Sequence, residues 1–443
     1  MGEHARLALL SAADPARPLL AVHGRIVSAG QFVREVHRLA QVLPAGPYLV
    51  NLCEERQHFL IAYCAALIRG QSNLMPPSRA PEVVAELIAA HPGSYPCDDA
   101  LVAQATAGGG EAGAGVLEVP AQHVAEVVFT SGTTGPPKAH VKRWASFLGS
   151  TRVTASRIRE QLAPRHAGAR PWIVATVPPQ HVYGTETSVL LPLAADMAVH
   201  SGRPLFPADV AAALAEVPEP RVLVTTPVHL RALAVSRHTL PPLALIVSST
   251  APLDAELAAA VERTLLTPVL ELFGSTETCA IATRRAAHGE PWHGYPQVRL
   301  TPQEDGTRIE APWLDGPTML QDVIEARGDD RFIVRGRNLD MVEVAGKRAS
   351  LAELTRRLLA VPGVEDAAVL QPEAASGGVA GVRRIAALVV APGLTAEEIT
   401  EHLSRSVEAA FLPRPLLLVP ALPRNELGKI TRERLLAALQ SRP

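Results

Sequence analysis

Short apolar runs alternate with helical stretches along most of the chain, and this alternation constrains the fold more than any other feature. The runs are apolar, six or seven residues long and followed by turn or loop residues: PYLVNLC, AEVVFT, PWIVATV, RVLVTT, LALIVSS and TPVLELF. Such runs are typical of buried strands. Helices are predicted between them at PEVVAELIAAH, DVAAALAEV and DAELAAAVERTLL. The alternation favours an α/β fold with largely parallel sheets.

The pattern changes near residue 338. Beyond it, SLAELTRRLLAV, VEDAAVLQ, RRIAALVVAP and TAEEITEHLSRSV predict helix, strand, strand and helix in that order. This stretch of about a hundred residues has the size of a small separate domain. We therefore predict a large N-terminal α/β domain over 1–338 and a small, mobile α+β domain over 339–443.

Composition excludes several classes of function. The formal net charge of −2 gives no electrostatic reason to expect nucleic acid or an anionic membrane as a partner. The four cysteines lie far apart without a C-x-x-C pair, so they indicate neither a zinc site nor a disulfide framework. This pattern is typical of a protein in the reducing cytoplasm. The longest apolar run, FLIAYCAALI, is about half of the ~20 residues that a membrane span needs. We expect a cytoplasmic protein without a membrane span.

The strand AEVVFT leads into the loop TSGTTGPPK. Its glycines let backbone amides approach an anion closely, while hydroxyls and Lys138 add donors and a positive charge. A Walker loop needs glycine before the lysine and Ser or Thr after it. Here Pro137 precedes Lys138 and Ala139 follows, so a P-loop kinase or ATPase is excluded. The phosphate-binding residues expected here are Thr130, Ser131, Gly132, Thr133, Thr134, Gly135 and Lys138.

Five motifs in order, spread from Val127 to Leu436, carry a resemblance to a known family. After the loop come PPQHVYG, ELFGSTET, LQDVIEARGDDRFIVRGR and LPRNELGKITRERL. In this order they resemble the signatures of the adenylate-forming superfamily, which includes acyl- and aryl-CoA synthetases, peptide-synthetase adenylation domains and luciferases. By that resemblance, the first loop handles the β- and γ-phosphates of ATP.

The third and fourth motifs imply a nucleotide and metal site. By the resemblance, Phe273 and Gly274 border the adenine, Thr276 contacts a phosphate and Glu277 helps to hold Mg²⁺, a cation that prefers carboxylates and phosphates. SSTAPL, just upstream, corresponds to a small-residue turn against the adenine. The implied nucleotide-binding residues are Thr250, Ala251, Pro252, Phe273, Gly274, Ser275, Thr276, Asp322 and Arg337.

Asp322 and Arg337 have the family's fifteen-residue separation. Asp322 would accept hydrogen bonds from both ribose hydroxyls, and Arg337 would lie near the ribose and the α-phosphate.

The second motif implies an acid pocket. His181, Tyr183 and Gly184 of this motif would line and gate the pocket. Ser249, in SSTAPL, would face the substrate.

The fifth motif places Lys429 on the family's catalytic lysine. Its ammonium would bridge the substrate carboxylate and the α-phosphate. Gly346 would lead the segment that lines the thiol tunnel after the C-terminal domain rotates. Two positions depart from the family: Leu339 stands at the hinge, where a charged residue is usual, and Glu343 stands where lysine is frequent.

The resemblance implies an ATP- and Mg²⁺-dependent acid–thiol ligase that releases pyrophosphate and AMP. PPQHVYGTETSVLLPL resembles the AMP-ligases of aryl polyene and xanthomonadin-type pigment pathways, which implies a hydroxybenzoate-like aryl acid. The acceptor would be an acyl carrier protein or CoA. Two alternatives stay open: a medium-chain or hydroxy fatty acid as substrate, and a noncatalytic nucleotide-binding relative, which the changes at Leu339 and Glu343 suggest.

Overall fold

In a computed structural model the chain divides into two compact units. The first comprises Met1–Val298 with Glu310–Gly316, and the second comprises Arg299–Ile309 with Pro317–Pro443. This division falls earlier in the chain than the boundary predicted after residue 338, where the resemblance implies a hinge. That boundary stays a prediction. The structure describes residues 5–11, 14–76, 79–108, 117–130, 138–289, 291–303, 306–328, 330–337, 341–344, 347–372, 384–405, 407, 409–424 and 430–441.

Strands and helices are numbered in chain order. The strands are β1 (Arg6–Ala8), β2 (Pro18–Val22), β3 (Arg25–Ser28), β4 (Tyr48–Asn51), β5 (Ser72–Met75), β6 (Ser94–Cys97), β7 (Glu118–Pro120), β8 (Val124–Thr130), β9 (Lys138–Arg143), β10 (Trp172–Ala175), β11 (Ala198–His200), β12 (Arg221–Thr225), β13 (Leu245–Ser248), β14 (Val269–Ser275), β15 (Cys279–Arg284), β16 (Trp292–Gly294), β17 (Arg299–Gln303), β18 (Gly306–Glu310), β19 (Thr318–Leu320), β20 (Asp322–Ala326), β21 (Arg331–Arg337), β22 (Met341–Val344), β23 (Lys347–Ser350), β24 (Asp366–Leu370), β25 (Ala386–Val390) and β26 (Leu416–Leu418). The helices are α1 (Ala29–Val42), α2 (Arg56–Ile68), α3 (Pro81–Ala90), α4 (Asp99–Thr106), α5 (Trp144–His166), α6 (Val182–Gly184), α7 (Leu191–Ala194), α8 (Pro207–Ala215), α9 (Pro227–Val235), α10 (Ala255–Leu265), α11 (Leu351–Leu359), α12 (Ala396–Ser404) and α13 (Arg432–Gln440). A π-helix over Thr185–Leu190 joins α6 to α7.

The larger sheet of the first unit has the strand order β16-β15-β14-β13-β12-β10-β11-β2-β3. The strands from β14 to β2 run parallel, and the outer strands β3, β15 and β16 are antiparallel to their neighbours. The apolar face of β12 and β13, with Leu223 and Ile246, packs against Leu214, Leu230 and Val261 of the helices α8, α9 and α10. The predicted α/β fold with largely parallel sheets is confirmed.

The second sheet of this unit has the order β6-β4-β5-β8-β9, parallel except for β9. Helix α3 covers one face through Val84 and Leu87, which pack against Val50, Leu74 and Val127. The apolar run FLIAYCAALI lies within α2, which is buried on nearly all sides, and this burial explains its uniform apolarity. Within the described ranges, we found no helix that has both the length and the apolarity for a membrane crossing.

The second unit contains smaller sheets. Strands β17, β18 and β19 form one sheet, β22 and β23 form a hairpin, and β24, β25 and β26 form a third sheet. Helices α11 and α12 pack on one face of this third sheet, and α13 packs on the other. The predicted helix–strand–strand–helix order is confirmed by α11, β24, β25 and α12.

Candidate active site

The carboxyl ends of neighbouring parallel strands bring several predicted site segments to one edge of the larger sheet. Thr225 at the end of β12 is in register with Ser248 of β13, which is in register with Glu271 of β14. Loops that follow such strand ends are the usual place for ligands in α/β sheets. The segments that begin at Thr226 and Ser249 therefore emerge side by side.

The turn from Ser275 to Thr278 presents the predicted metal ligand, Glu277. The Ser275 hydroxyl accepts hydrogen bonds from the backbone N–H groups of Glu277, at 3.1 Å, and Thr278, at 3.3 Å. The Thr278 hydroxyl in turn accepts from the N–H of Ser275 at 3.1 Å. These bonds close the turn on itself, and the Glu277 side chain stays 32% exposed. The carboxylate is therefore available to a ligand.

Gly274 is required by a close backbone approach at the base of this turn. A Cβ atom on Gly274 would lie 2.0 Å from the carbonyl oxygen of Cys279. Cys279 itself has a φ of 61°, in the left-handed region. Gly274 therefore permits the tight connection between β14 and β15 that carries Glu277.

Two side chains of β9 hold the turn from one side. The Lys142 ammonium donates a hydrogen bond to the backbone carbonyl oxygen of Glu277 at 2.8 Å. The His140 Nε2 atom lies 3.6 Å from the Glu277 Oε1 atom. Both side chains are almost fully buried.

Two further elements hold the residues that follow Glu277. The carboxylate of Glu186, in the π-helix, accepts from the N–H of Ala280 at 3.2 Å and from the Ser150 hydroxyl at 2.7 Å. The Trp313 indole donates to the Thr278 carbonyl oxygen at 3.1 Å. The turn is thus tied to three separate parts of the first unit, which restricts its movement.

Electrostatics keep Glu277 ionised. Burial raises the pKa of its carboxyl, but the hydrogen bond with Ser275 and the charges of His140 and Lys142 outweigh burial and lower that pKa. An ionised carboxylate that remains partly exposed suits Mg²⁺, which binds one or two carboxylates together with substrate phosphates. The residues present fit this cation. Magnesium would neutralise phosphate charge there.

The first and last residues of the predicted phosphate loop belong to β8 and β9. Thr130, the last residue of β8, is in register with Lys138, the first residue of β9. Ser131, Gly132, Thr133, Thr134 and Gly135 lie outside the described residues. Because β9 carries Lys138 at its start and Lys142 four residues later, this strand connects the end of the loop with the Glu277 turn.

The predicted adenine-binding residues are accessible. The ring of Phe273 packs against Trp292, with 5.2 Å between centroids, and is partly exposed. Thr250 adopts a φ of 80°, a conformation that is strained for a β-branched residue. Ala251 and Pro252, which follow it, are exposed.

A buried ion pair between Glu271 and Arg284 supports the segment 250–253. The sequence did not indicate this pair. Glu271 accepts a hydrogen bond from the Leu253 N–H at 2.8 Å and pairs with Arg284 at 2.6 Å. Arg284 also donates to the Leu253 carbonyl oxygen and lies over the Trp292 ring, 4.4 Å from its centroid. The pair fixes both backbone groups of Leu253, directly after the predicted adenine contacts.

Hydroxyl groups expected in the acid pocket contact the backbone. The Tyr183 hydroxyl lies 2.9 Å from the carbonyl oxygen of Val247 and 3.2 Å from that of Thr225. The Ser249 hydroxyl donates to the Leu272 carbonyl oxygen at 3.0 Å. The structure thus brings Tyr183 next to the strand that leads to Ser249.

The gate motif forms a tight local structure. His181 caps the short helix α6 by accepting a hydrogen bond from the Tyr183 N–H at 3.3 Å. A Cβ atom on Gly184 would lie 1.9 Å from the Pro178 carbonyl oxygen, so this position requires glycine. Their role toward an acid remains a prediction.

The remaining predicted site residues belong to the second unit. Asp322 and Arg337 face each other in register across β20 and β21, so the structure brings this pair together. Glu343 lies in β22, opposite Arg348 of β23. Leu339, Gly346 and the catalytic candidate Lys429 lie outside the described residues.

A buried carboxyl group beside the site predicts a pH effect on stability. Burial raises the pKa of Glu126 from its ordinary value of 4.5 to about 8, although the charge of Lys142 lowers it. Between these values the folded protein binds more protons than the unfolded chain, so stability falls as pH rises through this range. Glu126→Gln should remove this contribution, which is at most about 1.4 kcal/mol per pH unit.

Thermal unfolding between pH 5 and 9 measures this effect. We expect the unaltered protein to lose stability more steeply toward pH 8 than Glu126→Gln does. Glu86→Gln, on the solvent-exposed side of α3, serves as the control and should retain the original slope. Parallel pH profiles for Glu126→Gln and the unaltered protein would contradict the assignment.

Family models match both parts of the chain. The AMP-binding enzyme family matches residues 94–305, and the AMP-binding enzyme C-terminal domain matches residues 354–429. These ranges contain the phosphate loop, Glu277 and Lys429. The chain belongs to the adenylate-forming superfamily of AMP-binding enzymes. The resemblance drawn from the five motifs is thereby confirmed.

Three relatives are similar to between 34% and 70% of the chain. A 4-coumarate–CoA ligase of Halorhodospira halophila is 27% identical over 70% of this chain and 76% of its own length. A 4-coumarate–CoA ligase of Rhodobacter capsulatus is 33% identical over 54% of this chain and 59% of its own length. The fatty acid–[acyl-carrier-protein] ligase MmaC of Mycobacterium marinum is 28% identical over 34% of this chain and 30% of its own length.

Solved structures of the superfamily share the fold. ATP-bound MatB from Rhodopseudomonas palustris superposes with a TM-score of 0.81 at 18% identity, covering 97% of each chain. The o-succinylbenzoate coenzyme A synthetase of Bacillus subtilis, in complex with ATP and magnesium ion, gives a TM-score of 0.79 at 18% identity, covering 96% of this chain and 97% of that one.

Proposed function

We propose that the chain is an AMP-forming acid–thiol ligase that activates an aryl carboxylic acid and transfers it to the thiol of an acyl carrier protein or CoA. The Glu277 turn carries the proposal. It holds an ionised, partly exposed carboxylate within the segment that matches the AMP-binding enzyme family. A carboxylate so placed suits the metal that accompanies a nucleotide triphosphate.

The reaction takes place in two steps. A carboxylate oxygen of the acid attacks the α-phosphorus of ATP, the bond to the pyrophosphate oxygen breaks, and an acyl-adenylate forms. The sulfur of the thiol acceptor, after losing its proton to solvent, then attacks the carbonyl carbon. A thioester forms, and AMP leaves with the electrons of the broken C–O bond. Neither step needs a nucleophile from the enzyme. All four cysteines are free and buried, and burial raises the pKa of Cys279 to about 12, so this thiol is poorly suited to attack.

Different residues of this chain would bind the two anionic substrates, ATP and the carboxylic acid. The loop from Thr130 to Lys138 would bind the β- and γ-phosphates, and Glu277 would hold the metal beside them. Asp322 and Arg337 would bind the ribose and the α-phosphate. Lys429 would stabilise the charge that develops at the α-phosphorus as the acid attacks.

The choice of an aryl acid rests on similarity and on the pocket residues. The similarity to 4-coumarate–CoA ligases extends over 70% of this chain in the Halorhodospira protein. The second motif resembles those of pigment-pathway ligases that take hydroxybenzoate-like acids. Tyr183 is almost fully buried with its hydroxyl on backbone carbonyls, so only its apolar ring would remain to contact an acid. A planar acid packs well against such a ring.

A medium-chain or hydroxy fatty acid is the second candidate. The similarity to the fatty acid–[acyl-carrier-protein] ligase MmaC favours it, over 34% of this chain. The same similarity supports a carrier protein as acceptor, whereas the similarity to 4-coumarate–CoA ligases supports CoA.

Pyrophosphate exchange with a panel of acids tests the proposal. The panel contains 4-hydroxybenzoate, 4-coumarate, octanoate and 3-hydroxydecanoate, with a reaction lacking acid as the blank. We expect acid-dependent exchange, AMP as the nucleotide product, and kcat/KM at least about tenfold higher for an aryl acid, since pocket fit contributes about 1–3 kcal/mol. Faster exchange with the fatty acids would replace the first candidate by the second.

The acceptor is identified by mass spectrometry after activation. The preferred acid and ATP are incubated with CoA in one reaction and with a phosphopantetheinylated carrier protein in another, and thioester formation is measured over time. Release of ADP, or absence of exchange with every acid, would contradict an AMP-forming ligase.

A further inference from the structure

Lys142 is a buried cation beside the predicted metal ligand. Its side chain is almost fully removed from solvent, with 5% of its surface exposed. Lysine is rarely buried to this extent unless its ammonium is paired. The ammonium donates a hydrogen bond of 2.8 Å to the backbone carbonyl oxygen of Glu277.

The position of Lys142 on β9 directs it to this turn. Lys142 is in register with Glu126 of β8, so their side chains project from the same face of the sheet. Glu126 is fully buried, and the charge of Lys142 acts on its carboxyl group. Glu126 and Lys142 therefore place two buried polar side chains on one face of the sheet, and the Lys142 ammonium bonds to the Glu277 turn.

The attachment point of Lys142 differs from those of Trp313 and Glu186. Trp313 bonds to Thr278, and Glu186 bonds to Ala280. Lys142 bonds to the backbone of Glu277 itself. A hydrogen bond at this peptide restricts the backbone from which the Glu277 carboxylate projects, so its loss would act directly on the position of that carboxylate.

We propose that Lys142 is a positioning residue that fixes the Glu277 carboxylate for Mg²⁺ through its hydrogen bond to the Glu277 backbone. The inference rests on the proposed function, in which Glu277 holds the metal. Mg²⁺ demands near-ideal octahedral geometry, so a displaced carboxylate binds it poorly. Removing a group that orients a metal ligand commonly weakens metal binding about 10- to 100-fold.

Metal binding to Lys142→Met provides the test. Methionine retains an unbranched chain of similar length but cannot donate the hydrogen bond. Mn²⁺, used as the probe for Mg²⁺, is titrated by electron paramagnetic resonance into protein saturated with a non-hydrolysable ATP analogue. We expect about 10- to 100-fold weaker Mn²⁺ binding in this variant, with the affinity for the metal-free analogue changed less than twofold.

Two control variants distinguish the loss of the hydrogen bond from Lys142 to Glu277 from a general disturbance of the surrounding structure. Glu126→Gln alters the same buried pair but leaves the bond from Lys142 to Glu277, and should bind Mn²⁺ like the unaltered protein. Arg143→Met removes a cation from the same strand, one that pairs with Asp315 at 3.0 Å, and should also bind normally. If Lys142→Met does not fold, Lys142→Met combined with Glu126→Gln replaces it, since that protein buries neither the cation nor the ionisable carboxyl.

The outcomes are distinct. Normal Mn²⁺ binding in a folded Lys142 variant would overturn the positioning role. Equal weakening in Glu126→Gln would overturn it as well, because the whole buried region and not the hydrogen bond would then control the metal. If the unaltered protein shows no nucleotide-dependent Mn²⁺ binding, the metal role of Glu277 fails and the inference fails with it.

Discussion

Replacing Lys429 by alanine is expected to reduce adenylation on the order of 10²–10³-fold, the usual effect of removing a group that stabilises charge in the transition state. The acid and the α-phosphate are both anionic, and they must approach each other before a bond can form. A positive charge ~4 Å from an anion contributes roughly 4 kcal/mol at an effective dielectric of ~20. Pyrophosphate exchange at saturating acid and ATP measures the loss.

The matched control for Lys429→Ala is Arg405→Ala. Arg405 also belongs to the second unit, and its exposed side chain pairs with Glu401 at 3.3 Å, one turn earlier in α12. This control should retain full exchange activity, because exposed ion pairs contribute little to stability. Both variants should unfold at the temperature of the unaltered protein. Near-normal exchange in a folded Lys429→Ala protein would remove Lys429 from the catalytic role.

Gly274→Ala is expected to reduce exchange by at least about 100-fold through displacement of the Glu277 turn. The added Cβ would lie 2.0 Å from the Cys279 carbonyl oxygen, so the backbone of β14 or β15 must move. Overpacking of this kind costs about 1–3 kcal/mol. An ångström-scale shift at a reacting centre can itself reduce the rate about 100-fold.

Gly108→Ala is the matched control for this substitution. Among the described residues, a Cβ atom on Gly108 would meet no atom within 4 Å, and Gly108 is exposed. Exchange kinetics, together with thermal unfolding, distinguish the two variants. A Gly274→Ala protein with unchanged exchange would show that the connection between β14 and β15 adjusts without moving the metal ligand.

The strands and helices were predictable where the pattern of apolar residues along the chain agrees with the burial of the element that it forms. The runs that became β10, β12, β13 and β14 are apolar because both faces of a central parallel strand are covered. The π-helix over Thr185–Leu190 was not predicted, because its sequence TETSVL carries no period that distinguishes it from an α-helix. Its Glu186 turns inward, where it binds the backbone after Glu277.

The site was predictable only for residues within contiguous motifs. Gly274 and Glu277 lie in one short segment, ELFGSTET, whose residue spacing can be read directly from the sequence. Lys142 and Glu271 were missed because their roles arise from pairing between distant segments. The sequence indicated Glu126 only weakly as an unusual buried group, because it is a charged residue within an otherwise apolar strand.

The backbone contacts of Tyr183 and Ser249 bear on how narrowly the enzyme selects its acid. In the proposed acid pocket both hydroxyls already bond to carbonyl oxygens, so a ring substituent would gain little from them and recognition would depend on shape. Shape alone distinguishes acids that differ by one methylene only about 10- to 200-fold. In a cell that contains several similar acids, the product would then depend on which acid is most abundant.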